Sequence, residues 1–396
     1  MISFAALLLV QSIDPDLARQ YFTEAEAICR EDSGRLWGIS LCGPMLFADP
    51  HTRAVVTNRH DREQRLPDHI TPANTAIEWQ GTRWTMVMWP LPAECQARAR
   101  LMMHELFRRI QPELGLPAAN PANGHLDTRD GRLWLQLEWR ALSRALAASG
   151  PERIEAIRDA LRFRAERRRL FPGTAAEERA LELNEGLAQY TGVRLCCGAP
   201  DAIRLLDQAP RAQSFVRSFA YASGPAYGLL LDDADPGWRK KVSAASDLGD
   251  MLAIAPADAN RTSIYGGHAL AAAEDERQRK RERLLSEYRA RFVDGPVLVI
   301  KDSGKWQFTF DPLNVVPLPG HGSVYPNLRV TDAWGILTVT GGALMSGSFS
   351  SVAVPAPRDP TARPLRGNGW TLQPNQGWRL APGARPGDYV LTPALQ

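Results

Sequence analysis

The sequence predicts an α+β fold: a mainly helical core, preceded by a small sheet and followed by a C-terminal all-β module. Three observations carry this prediction. Apolar residues recur at helical spacing through most of 94–294. Short apolar runs alternate with turn residues between 36 and 89. Beyond Gly295, short β-like runs are separated by dense Gly and Pro. The chain has 396 residues, 44% of them hydrophobic, which suffices for a large core and for more than one domain. The divisions read are 1–12, a candidate signal peptide; 13–93, a helix plus small sheet; 94–294, the helical domain; and 295–396, the β-rich module.

At the N-terminus, the apolar run 4–10 has the length of a signal-peptide h-region and is far too short to span a bilayer. No Lys or Arg precedes it and no A-x-A site follows, so a buried first helix or strand is the alternative. Export, to a periplasm or outside the cell, is the expectation and a cytoplasmic location the runner-up. Leu17, Tyr21, Phe22, Ala25 and Ile28 then predict a helix over 15–30, with Asp14 or Asp16 as its cap. Runs at 36–42, 54–57, 75–79 and 83–89 read as strands, with a hairpin at Gln80-Gly81-Thr82.

Helices follow at 94–111, stopped by Pro112, and at 133–148, with Leu135, Trp139, Leu142 and Leu146 on one face. Gly150-Pro151 breaks that helix and starts the next, and 175–190 is a further one, ended near Gly192. Shorter helices are predicted at 200–208, 211–222 and 224–233, and a long charged one at 269–292. The runs 297–300, 306–310, 333–340, 347–354 and 377–380 are the strands of the last module, a sandwich or small barrel. The stretch 355–366 reads as a loop.

Charge excludes one class of partner. The 47 basic and 44 acidic residues leave +3 and form no long basic stripe, so nucleic acid is not expected. The basic cluster 164–169 reads as a solvated helix face. Five cysteines without regular spacing are no disulfide framework. Most read as small buried apolar residues, although Cys29 and Cys42 could pair in an exported protein.

The chemistry lies in two segments. The first is Met102-Met103-His104-Glu105-Leu106-Phe107-Arg108-Arg109-Ile110-Gln111. Zinc peptidases use H-E-x-x-H on a helix because histidines at i and i+4 project from one face onto one metal, while the Glu reaches its bound water as general base. Here His and Glu are present and Arg108 holds the i+4 position. The second is Leu183-Asn184-Glu185-Gly186-Leu187-Ala188-Gln189-Tyr190-Thr191-Gly192. A Gly inside a helix costs about 1 kcal/mol relative to Ala, which close approach of another helix would offset.

Together the segments resemble the two-helix zinc core of gluzincin-type metallopeptidases, over about 75–235. The resemblance implies a gluzincin-like helical peptidase core, with zinc as the cofactor, if any. It places His104 at the first metal-ligand position, Glu105 at the general-base position and Glu185 at the third-ligand position. Arg108 occupies the second and cannot serve, because a guanidinium stays protonated and offers no lone pair. The family also needs an electrophile: Tyr190, Tyr221, Tyr227, Tyr265 and His268 are candidates, with Asn184 and Tyr227 carried as further site residues. His125 is a candidate substitute ligand or, more simply, a loop histidine. Strand 83–89 is expected at the sheet edge beside the motif helix, where an extended peptide could add to it. Arg108 is expected to pair with Glu185 or Glu105.

Three functions follow as expectations. The first is an exported peptidase homologue that binds a peptide or protein ligand without cutting it. The second is an active zinc hydrolase with a substitute ligand. The third is a structural or interaction protein without a metal.

Overall fold

The computed structural model describes residues 13–59, 64–67, 69–310 and 315–394. The candidate signal peptide at 1–12 lies outside them. The fold is α+β, with a small N-terminal sheet, a mainly helical core and a C-terminal β module. The chain divides into two units between Glu274 and Asp275. Among the described residues, no helix is long and apolar enough to cross a membrane.

The first unit opens with α1 (Pro15–Asp32), capped by Asp14, whose side chain accepts from the backbone N–H of Asp16 and Leu17. Residues 36–42, expected as a strand, form turns instead. Gly34 and Gly38 both hold φ of 75°, and a Cys29–Cys42 disulfide ties the segment back to α1. The buried Leu36, Trp37 and Leu41 are anchors of a turn, not one face of a strand.

The sheet comprises β1 (Met45–Ala48), β2 (Ala54–Thr57), β3 (Gln64–Arg65), β4 (Thr75–Trp79) and β5 (Thr82–Met88), in the order β3-β2-β1-β5-β4. The expectation for 83–89 is corrected here: β5 is interior, parallel to β1 and antiparallel to β4. Its burial shows why. Trp84 and Met86 pack in a small core with Leu46 and Trp79 on one side, and Val87 joins the helical core on the other. A strand covered on both faces sits inside a sheet. The edge beside it is β4.

The helices are α2 (Cys95–Ile110), α3 (Arg129–Ala147), α4 (Gly150–Leu170), α5 (Ala175–Leu181), α6 (Leu187–Cys196), α7 (Ala199–Gln208), α8 (Phe215–Ala234) and α9 (Gly267–Arg289). Glu94 caps α2 and Thr128 caps α3. A π-helical turn, Glu182–Gly186, joins α5 to α6. The break expected near 223 is absent: α8 runs through it with Pro225 inside. Phe47, Val87 and Trp89 of the sheet region share one core with Met102, Phe107, Trp139, Leu183 and Phe219 of the helices.

Two further expectations are corrected. The end of α4 is not a solvated face, because Arg164 and Arg167 are buried. Arg167 donates to Glu178 at 2.7 Å and to Glu138, Arg164 donates to Glu182 at 2.9 Å, and Arg168 donates to Asp247 at 2.7 Å. A run of arginines looks the same in sequence whether water or distant carboxylates receive it. Nor are the cysteines mostly isolated apolar residues. Cys196–Cys197 is a second disulfide, and Cys95 is free and exposed.

In the second unit, two sheets of five and seven strands form among the described residues. Leu298, Ile300, Val352 and Val354 of one share a core with Val330, Leu337 and Leu372 of the other. Alternating burial along Leu328–Asp332 and Gly335–Val339 is the pattern of strands with one face inward.

Candidate functional site

α2, the π turn, α6, α8 and the residue before β4 supply one cavity of about 200 Å³, lined by Asn74, Leu101, His104, Glu105, Arg108, Glu185, Gln189, Arg217 and Tyr221. On α2, His104, Glu105 and Arg108 project toward α6 and the π turn. Helix packing is close because small residues permit it. A Cβ on Gly192 would meet the carbonyl oxygen of Arg100 at 2.5 Å, and one on Gly224 would meet the Cα of Gly186 at 2.3 Å. The helix that offsets the cost of Gly186 is therefore α8.

The π turn matters for aim. Such turns insert an extra residue per turn and often mark functional sites. Glu182 and Glu185 would face nearly the same way in an α-helix. In the wider turn Glu182 reaches Arg164 and Glu185 reaches His104, with His104 Nε2 3.4 Å from Glu185 Oε2.

His104 is held on three sides. Its Nδ1 lies 3.0 Å from Gln189 Oε1, its Nε2 faces Glu185, and its ring stacks on Tyr221 with centroids 5.6 Å apart. The Glu185 carboxylate is crowded. It accepts from the Tyr221 hydroxyl at 2.7 Å and from Arg217 Nη2 at 3.0 Å, and Arg108 Nη2 stands 3.9 Å away. Burial works to raise its pKa, but hydrogen bonds from His104 and Tyr221 and the charge of Arg108 prevail and hold it at about 2. Burial and the Glu185 carboxylate push Tyr221 up, so its hydroxyl stays a donor.

Glu105 differs. It is 5% exposed, and His104 Nε2 stands 3.9 Å from its carboxylate, beyond hydrogen-bonding distance. Burial pushes its pKa up, and the charges of His104 and Arg108 offset this only in part.

His104, Glu105, Arg108 and Glu185 thus come together at one cavity. The expected pairing of Arg108 is corrected in its emphasis. Arg108 lies 3.9 Å from Glu185, but its hydrogen bonds go to Gln111 at 2.9 Å and to the side chain and carbonyl of Asn184. Asn184 in turn donates to the carbonyl of Ala119 at 2.9 Å, so it braces Arg108 and does not line the cavity. Tyr227 is elsewhere: fully buried, it donates to Glu138 at 2.8 Å. Tyr190 bonds Asp232 and Tyr265 bonds Asp159, while His268 is exposed on α9. His125 is neither a surface-loop histidine nor a cavity residue: it lies in the 3-10 turn Gly124–Asp127 and its Nε2 meets Glu178 at 2.8 Å.

Sequence reasoning missed Arg217, Gln189 and Asn74. Two of these carried a signal. Gln189 is four residues beyond Glu185, and Arg217 four before Tyr221, and such spacings share a helix face.

A zinc ion does not fit these residues. Zinc in a peptidase takes three protein ligands and a water. Here one imidazole nitrogen and the Glu185 carboxylate face each other, two guanidinium groups already bear on that carboxylate, and Glu105 does not close a three-ligand group with them among the described residues. A dication there meets two fixed positive charges. Donor atoms of Cys196, Cys197 and Asp201 also lie close together. That group fits no better: the sulfurs are joined to each other, and Asp201 accepts from Arg100 at 2.6 Å. Comparison of the chain with protein-family models, curated proteins and solved structures found no match in any of the three.

Proposed function

We propose that this chain is a gluzincin-type metallopeptidase homologue that binds the end of a peptide in a retained cleft and does not cleave it. One observation carries the reading: Arg217 and Arg108 bring guanidinium charge onto Glu185, the carboxylate that would otherwise face a metal. Their positive charge takes the place of the cation, which keeps His104, Glu185 and Tyr221 assembled without one. Glu105 sits where the family keeps its general base, but it has no metal-bound water to activate.

The cleft has a route for an extended ligand. β4 ends the sheet, with β5 on one side and no neighbour on the other among the described residues. Asn74, which precedes it, lines the cavity and accepts from the backbone N–H of Met88 at 2.7 Å. A peptide adding to β4 passes Asn74 into the cavity. The two disulfides accord with an exported protein.

Metal analysis of Arg108→His beside the parent tests this. The variant restores H-E-x-x-H and should retain stoichiometric zinc after dialysis, whereas the parent should retain none and show no chelator-sensitive peptidase activity. Stoichiometric zinc and such activity in the parent would establish the active hydrolase instead.

A further inference from the structure

The cavity contains one buried acid whose partner is missing. Glu105 lines it, is 5% exposed, and has no hydrogen bond among the described residues. Leaving a buried carboxylate unpaired is costly. This chain avoids that cost at nearby positions: Glu138, Glu178, Glu182 and Asp247 are all buried and each accepts from at least one arginine. The cavity's other charged groups are satisfied. Arg108 is held by Asn184 and Gln111, Arg217 by Asn120 and Glu185, and Glu185 by Tyr221 and Arg217. The open valence is therefore an acceptor, and a ligand that enters the cavity can bring a donor to it.

Size and charge narrow the ligand. At about 200 Å³ the cavity is smaller than the roughly 300–1,000 Å³ of pockets that enclose drug-sized molecules. It takes the end of a chain, not its middle. Two arginines and Glu185 leave one positive charge that Glu105 balances, so a donor that carries its own charge onto Glu105 needs acceptors beside the arginines. A peptide N-terminus meets both conditions: the ammonium is the donor, and the first carbonyl oxygen is an acceptor for Arg217, whose side chain is 55% exposed. Resting on the reading of the cleft as a peptide site, we propose that it captures the free α-amino group of a peptide, with the Glu105 carboxylate as its counter-ion.

Calorimetric titration at neutral pH with Ala-Ala-Ala amide and its N-acetyl counterpart tests this, because the two ligands differ only at the amine. The free peptide should bind about tenfold tighter or more, the usual size of one charge-assisted hydrogen bond. Glu105→Gln should abolish that preference, and Glu105→Asp, which keeps the charge, should retain part of it. Equal affinity for the two peptides overturns the amine assignment and leaves the cleft reading standing. Equal loss of both in each variant also overturns it, since Glu105 would then only shape the cleft. Binding of neither peptide to the parent overturns the cleft reading and this inference with it.

Discussion

Two clusters of buried charge hang from the same π turn. Glu182 leads into one, with Arg164, Arg167, Arg168, Glu138, Glu178 and Asp247. Glu185 leads into the other, with His104, Glu105, Arg108 and Arg217. Their residue types are alike and their bookkeeping is not. In the first, every carboxylate has a guanidinium, and Tyr227 and His125 fill remaining positions. In the second, Glu105 is left open and a cavity adjoins it. With every carboxylate paired, the first network holds helices together, although Arg164 Nε and His125 Nδ1 have no partner among the described residues. Incomplete pairing beside a void is the feature on which the proposed ligand site rests.

The comparison breaks first at Arg167. Arg167→Met removes the buried guanidinium that Glu138 and Glu178 share and leaves them to Arg164 and Tyr227, and to Arg168 and His125. It should cost roughly 3–5 kcal/mol of stability in urea unfolding. A loss under about 1 kcal/mol would mean that the network is not structural.

Glu185 tests the second cluster. Its folded pKa of about 2 lies below the ordinary 4.5, so its ionised form stabilises the fold above the ordinary value, and that contribution is lost as pH falls toward about 2. Glu185→Gln should therefore cost on the order of 2–3 kcal/mol at neutral pH. The gap from the parent should close in acid. A pH-independent gap would show that packing, not charge, is responsible.

Glu105 carries the opposite sign. Its folded pKa is raised by burial, so its own contribution to stability is most favourable below the ordinary carboxyl value and is lost as pH rises through the raised one. Glu105→Gln should raise stability at neutral pH by on the order of 1 kcal/mol, as relief of a functional-site group commonly does. That gain should fade in acid. Thermal melts of variant and parent across pH measure it, and a destabilised variant at neutral pH would place Glu105 among the paired carboxylates.

The α+β layout was legible in the sequence, and the resemblance to the gluzincin core implied that His104, Glu105, Arg108 and Glu185 would meet. Residues i and i+4 share a helix face by local geometry alone, so the motif on α2 and the segment around Glu185 each declared their contents. The near-continuous apolar run on α2 also predicted burial. Gly186 signalled a close helix contact without saying which helix made it.

Contacts between distant residues were decided only by tertiary structure. Tyr221 and Tyr227 sit six residues apart on α8, and only packing sends one to Glu185 and the other to Glu138. β4 and β5 read alike as short apolar runs, and burial on both faces puts β5 inside the sheet. Arg164 and Arg167 look solvated until α3, α5 and the π turn bring acids to them. Sequence determines which faces a helix offers, because that depends on residues within one or two turns. Which partner meets each face depends on how elements tens of residues apart pack, and pairing of buried charge is settled there.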